Sequence, residues 1–148
     1  MNDSEQNTLR AAMGRMPPKP SLKVLLIDDN PTFAQALAKL LRRDGASVDM
    51  VDNGQRAVAH LQARPYDVLL CDLRLPALTG SAFYALLRER YPHLCSRVIF
   101  LTGDTLGAES TAFLAQCGQP WLQKPFTAAA LRRTLQQVYP PLRSPQNA

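Results

Sequence analysis

Lys23-Val-Leu-Leu-Ile-Asp-Asp-Asn-Pro31 runs from four aliphatic residues directly into two adjacent carboxylates. Val24 to Ile27 reads as a buried strand, yet Asp28 and Asp29 stand together at its end with no basic residue adjoining them. Like charges repel, so a pair placed where the core stops needs a counter-charge from elsewhere in the fold. The strand ends further along the chain are where that counter-charge must be sought.

Outward from this stretch the chain alternates. Short apolar runs recur at Ser47–Val51, Asp67–Cys71, Arg97–Leu101 and Pro120–Leu122. Between them lie stretches of helical period. Phe33, Ala36, Leu37, Leu40 and Leu41 come first, then Ala57, Val58 and Leu61, then Phe83, Leu86 and Leu87. Leu106, Phe113 and Leu114 follow, and last Leu131, Leu135 and Val138. Asn30-Pro31, Gly45, Asn53-Gly54 and Gly80 punctuate the boundaries, and Thr127 is placed to cap the last helix. Strands alternating with helices predict an α/β domain, a parallel sheet covered on both faces. The runs VLLI, DVLLC and RVIFL are nearly continuous apolar, as central strands should be, whereas SVDMV alternates and suits an edge.

The strand ends carry chemistry. Asp28-Asp29 follows the first, Asp72 the third, Thr102 the fourth and Lys124-Pro125 the fifth. In an open doubly wound sheet, ligands bind beyond the carboxyl ends of the strands. With strand order 2-1-3-4-5 the three carboxylates converge, and Thr102 and Lys124 enter from adjoining strands. An all-oxygen acidic cluster suits a hard divalent ion such as Mg²⁺. Lys124 is a mobile point charge able to pair with a carboxylate or a phosphoryl group.

From about residue 23 to 139, the chain resembles the receiver domain of two-component response regulators. The resemblance rests on Asp28-Asp29, on Asp72 in Leu-Leu-Cys-Asp-Leu-Arg-Leu-Pro, on Thr102 in Phe-Leu-Thr-Gly-Asp and on Lys124 in Gln-Lys-Pro-Phe. It implies a flavodoxin-like (βα)₅ doubly wound five-stranded sheet. Asp72 would be the phosphoacceptor, attacking a phosphohistidine. Asp29 and Asp72 would ligate Mg²⁺ directly, Asp28 mainly through water, with the backbone carbonyl of Arg74 a further ligand. Thr102 and Lys124 would hold the phosphoryl group, and a cis Lys124–Pro125 bond is expected. Thr102 and Trp121 would form the switch, although the family usually has Tyr or Phe at the latter place. Trp121 reads equally as a packed edge aromatic. Arg74 and Asp104 could pair across the mouth of the site, against the alternative of two solvated loop charges.

The implied partners are a histidine kinase or histidine phosphotransfer domain, a downstream protein at the face of the fourth helix, fifth strand and fifth helix, and a weak homodimer. The domain is expected to be cytoplasmic and not an enzyme as it stands, beyond slow self-catalysed phosphotransfer and dephosphorylation. Residues 1–22, with Met16-Pro-Pro-Lys-Pro-Ser21, read as a tail or linker, 23–139 as the domain and 140–148 as a short tail. The proline-rich leader and the segment Val98–Phe126 resemble receivers joined to hybrid sensor histidine kinases, with a stand-alone regulator as the alternative. A magnesium-dependent aspartyl-phosphate phosphatase is a distant rival, because it wants an acid where Arg74 stands. A flavin module would place phosphate against Asp28-Asp29, which would repel it.

Composition agrees. The 148 residues are 46% hydrophobic and 20% charged, an ordinary globular balance. The net charge of +5 is scattered, with no basic stripe interleaved with aromatics, so no direct nucleic-acid contact is expected. No apolar run approaches the ~20 residues needed for a bilayer span, so no membrane contact is expected either. Cys71, Cys95 and Cys117 match neither a zinc knuckle nor a disulfide framework, and Cys71 reads as a core residue. His60, on a helix, and His93, in a loop, lie away from the site.

Overall fold

In the computed structural model, which describes residues 21–103 and 106–140, five strands pair side by side in parallel in the order β2-β1-β3-β4-β5. They are β1 (Lys23–Ile27), β2 (Ser47–Val51), β3 (Val68–Asp72), β4 (Val98–Thr102) and β5 (Trp121–Gln123). The helices between them are α1 (Pro31–Arg43), α2 (Gly54–Ala63), α3 (Gly80–Arg90), α4 (Ala108–Cys117) and α5 (Ala128–Val138). This is the expected flavodoxin-like architecture, with SVDMV on an edge. The tails, 1–20 and 141–148, fall outside the described residues.

Alternation along the strands sorts the core into two layers. Leu25, Ile27, Leu69, Cys71 and Phe100 face one side, where Ala57 and Leu61 of α2, Phe83 and Leu87 of α3 and Leu114 of α4 cover them. Val24, Leu26, Val68, Leu70, Ile99 and Leu101 face the other, beneath Leu37 and Leu41 of α1 and Leu131 and Leu135 of α5. Tyr84, Phe100 and Phe113 stack edge to face, with centroids 5.2–5.8 Å apart. Among the described residues, no helix is long and apolar enough to cross a membrane.

The helix starts follow the sequence signals. Asn30 Oδ1 accepts the Phe33 amide at 3.1 Å with Pro31 in the first helical position, and Thr127 accepts the Ala130 amide at 3.0 Å. Several details depart from expectation. The core stripe of α1 is Ala34, Leu37, Ala38 and Leu41, while Ala36 is exposed. Leu106 precedes α4, which begins at Ala108 after Gly107. His93 lies in a 3₁₀ helix, Pro92–Arg97, and not in a loop. Strands β3, β4 and β5 each begin and end one residue later than the apolar runs suggest. The ladder register explains this: Asp72 pairs with Leu101 and Thr102 with Gln123, so the polar residues close their strands from within.

The connection from β3 to α3 is tightly built. A Cβ on Gly80 would lie 2.9 Å from the Leu73 Cα and 3.0 Å from the Asp72 carbonyl oxygen, so only glycine lets α3 start this close to the end of β3. Within the same loop Ala77 adopts a left-handed φ of 67°. That conformation costs an L-residue about 1–2 kcal/mol, against about 0.5–1 kcal/mol of extra chain entropy for glycine. Ala77→Gly is therefore expected to raise stability by about 0.5 kcal/mol. A urea midpoint below that of the wild type, at unchanged slope, would contradict it.

Candidate functional site

At the carboxyl edge of the sheet, Asp28 follows β1 while Asp72 ends β3 and Thr102 ends β4. All three are buried. Parallel pairing of β1 with β3 and of β3 with β4 brings these ends side by side. Asp29 is exposed beside them. Asp28, Asp29 and Asp72 each offer a carboxylate oxygen, and these oxygens lie within 4.8 Å of one another.

The counter-charge is Lys124, just past β5, whose amide donates to the Thr102 carbonyl at 2.8 Å. Its ammonium bridges the two buried acids, 2.6 Å from Asp28 Oδ2 and 3.1 Å from Asp72 Oδ2. The remaining oxygens are also satisfied. Asp28 Oδ1 accepts the Asn30 amide at 2.8 Å and Asp72 Oδ1 accepts the Arg74 amide at 2.9 Å. The Lys124–Pro125 bond is cis, as expected.

Burial raises the Asp72 carboxyl above its ordinary value. The Arg74 amide and the Lys124 charge oppose that rise, and the Asp28 charge adds to it. Burial pushes the Lys124 ammonium down, but its bonds to Asp28 and Asp72 and their charges outweigh this and raise it. Cys71, fully buried next to Asp72, has its thiol pushed up by burial and then by the Asp72 and Asp28 charges, which fits an inert core residue. Thr102 Oγ1 is buried and has no hydrogen-bond partner among the described residues. Buried hydroxyls are ordinarily paired, so an unpaired one at the end of β4 stands out.

The sequence-predicted residues do not all meet. Asp28, Asp29, Asp72 and Lys124 converge, Thr102 lies on the adjoining strand end, and Arg74 joins them through its amide. Trp121 stands apart at the start of β5, in register with Phe100 and 41% exposed. The Arg74–Asp104 pairing involves residue 104, outside the described residues. His60 bonds within its own helix, to the Arg56 carbonyl. Sequence reading assigned Phe33 only to a helical stripe, yet its ring centroid lies 4.2 Å from Lys124 Nζ. Its place three residues beyond Asn30, in the first turn of α1, was the available signal. A cleft of about 670 Å³ opens beside Asp29, lined by Arg74, Thr79, Gly107, Glu109 and Phe113 among others.

A doubly wound parallel sheet bearing three acids, a hydroxyl and an ammonium on its carboxyl edge defines the class of signal-receiving α/β domains. The chain belongs to the response regulator receiver domain family, whose model matches residues 24–136. It is a receiver domain of two-component signalling. A response regulator receiver protein of Anaeromyxobacter sp. is 38% identical over 77 residues, covering 52% of this chain and 32% of that protein. The transcriptional regulatory protein TcrA of Mycobacterium tuberculosis is 30% identical over 129 residues, covering 83% and 49%. The chain thus spans half or less of the length of these curated relatives. Among solved structures, the receiver domain of a Pseudomonas aeruginosa sensor histidine kinase, with a magnesium ion coordinated in its active-site cleft, is 31% identical. It superposes with a TM-score of 0.70 over 80% of this chain and 98% of that one.

Proposed function

We propose that residues 23–139 form a phosphoacceptor unit that takes a phosphoryl group from a phosphohistidine onto Asp72. The observation that carries this reading is one ammonium bridging two buried carboxylates beside a buried hydroxyl that lacks a partner among the described residues. An oxygen of Asp72 attacks phosphorus, and the new O–P bond forms as the N–P bond breaks. The electron pair leaves with the imidazole of the donor, a histidine kinase or phosphotransfer domain. Lys124 follows the incoming charge, keeping its bond to Asp28 and gaining a phosphoryl oxygen. Thr102 donates its hydroxyl to another phosphoryl oxygen, which gives the buried group its partner.

The hard oxygen donors of Asp28, Asp29 and Asp72 fit Mg²⁺, with the Arg74 carbonyl as a further ligand. When bound, the ion offsets negative charge on the phosphoryl oxygens. Asp29 and Asp72 would hold it directly and Asp28 mainly through water. Capture of Thr102 favours one conformer of the loop that follows it, and the change is read at the face of α4, β5 and α5. Trp121 lies on β5 and moves with that face. Relatives occur both in sensor kinases and in transcriptional regulators, and this chemistry serves either context in the cytoplasm. The unit is not an enzyme in its own right; transfer and the slow hydrolysis of the acyl phosphate are self-catalysed.

Incubation with acetyl phosphate and Mg²⁺, followed by intact mass, tests the reading. The wild type is expected to gain one phosphoryl group and Asp72→Asn none. An unmodified wild type, or equal modification of the variant, rejects it.

A further inference from the structure

Lys124 has a third neighbour that the phosphoacceptor reading leaves unused. Four residues close a circuit around its ammonium. Asn30 donates its amide to Asp28 Oδ1, and its own Oδ1 accepts the Phe33 amide. The Phe33 ring lies 4.2 Å from Lys124 Nζ, and Lys124 returns to Asp28 Oδ2 at 2.6 Å. The Phe33 ring is also held from outside, edge on to Phe126 at 5.8 Å and 84°.

The chemistry of the ring contact differs from that of the carboxylates. An aromatic face attracts a cation through its quadrupole, with neither a formal charge nor a lone-pair oxygen. Lys124 has three N–H donors, of which Asp28 and Asp72 take two. The ring anchors the ammonium by a weak contact that an incoming phosphoryl oxygen can share or displace. It is also uncharged, so its hold does not depend on the state of Asp72.

We propose that Phe33 is a positioning residue that keeps Lys124 aimed at the phosphoryl group while Asp72 changes from carboxylate to acyl phosphate. The inference rests on the phosphoacceptor reading. It is tested on the full chain by calorimetric titration with beryllofluoride, a noncovalent phosphoryl mimic, at saturating Mg²⁺. Phe33→Leu keeps the apolar bulk and removes the π face, and is expected to weaken binding about fivefold. Phe33→Tyr and Phe33→Trp keep the face and are expected to stay within about twofold of the wild type. A loss limited to the leucine variant is not what a packing role alone would produce. Should Phe33→Leu fail to fold, Phe33→Met makes the same comparison. The clamp is overturned if the leucine variant binds like the wild type, or if all three variants weaken equally. A wild type that neither binds beryllofluoride nor forms the acetyl phosphate adduct overturns the phosphoacceptor reading and the clamp together.

Discussion

Lys124→Met is expected to destabilise the metal-free domain by about 3 kcal/mol, because removing one partner of a buried ion pair leaves the other charge uncompensated. The Asp28 side chain is 0% exposed and loses its 2.6 Å partner, while Asp72 loses one at 3.1 Å. Added Mg²⁺ should recover part of the loss by supplying a replacement counter-charge. The pH dependence has a definite sign. The Asp72 carboxyl is raised above 3.8, so its contribution to stability is fully present below that value and is lost as pH rises through its folded value. The Lys124 ammonium is raised above 10.5, so its contribution is present below that value and lost only at more alkaline pH. The deficit of Lys124→Met should therefore be largest near neutrality, where Asp72 is ionised and the lysine charged, and should shrink toward acid as Asp72 takes up a proton. Urea unfolding in EDTA across pH measures this. A constant deficit, or one under about 0.5 kcal/mol at neutral pH, would argue against a strained acid cluster held by Lys124.

Thr102→Val should act in the opposite direction on stability. The hydroxyl is buried without a partner among the described residues, and replacing it with a methyl group of similar shape removes a desolvation cost of about 1–2 kcal/mol. The variant is expected to melt a few degrees higher than the wild type in EDTA. On the proposed reading it should still accept a phosphoryl group at Asp72, yet the amide chemical-shift changes expected in α4 and β5 on phosphorylation should largely disappear. A lower melting temperature would mean that the hydroxyl has a partner in the unmodified domain. Full-sized shifts would remove Thr102 from the switch.

Much of this was legible in the residues. Buried parallel strands need apolar runs on both faces, and VLLI, DVLLC and RVIFL show this directly, while the order 2-1-3-4-5, taken as a condition in the sequence reading, is the one the sheet has. The one-residue offsets arose because Asp72 and Thr102 are polar, and a polar residue reads as the end of a strand even when backbone pairing includes it. Burial of Thr102 without a partner was invisible, since sequence shows a hydroxyl and not its surroundings. Phe33 was assigned to a helical stripe by its period, while its ring lies against a charge contributed by a residue 91 positions away. The 3₁₀ helix at Pro92–Arg97 was missed because it has too few residues to carry a periodic signature.

The bridging ammonium has a consequence for how far a message travels. Three carboxylates and one ammonium leave the unmodified pocket with two surplus negative charges, which a single divalent cation cancels. Phosphorylation as proposed would replace one carboxylate charge with roughly two on the phosphoryl group, a net change of only about one charge. In physiological salt such a change fades within about 8 Å. On the proposed reading, a partner on the far side of β5 would sense displaced atoms and altered shape, and swapping its surface charges should matter less than reshaping the contour it fits.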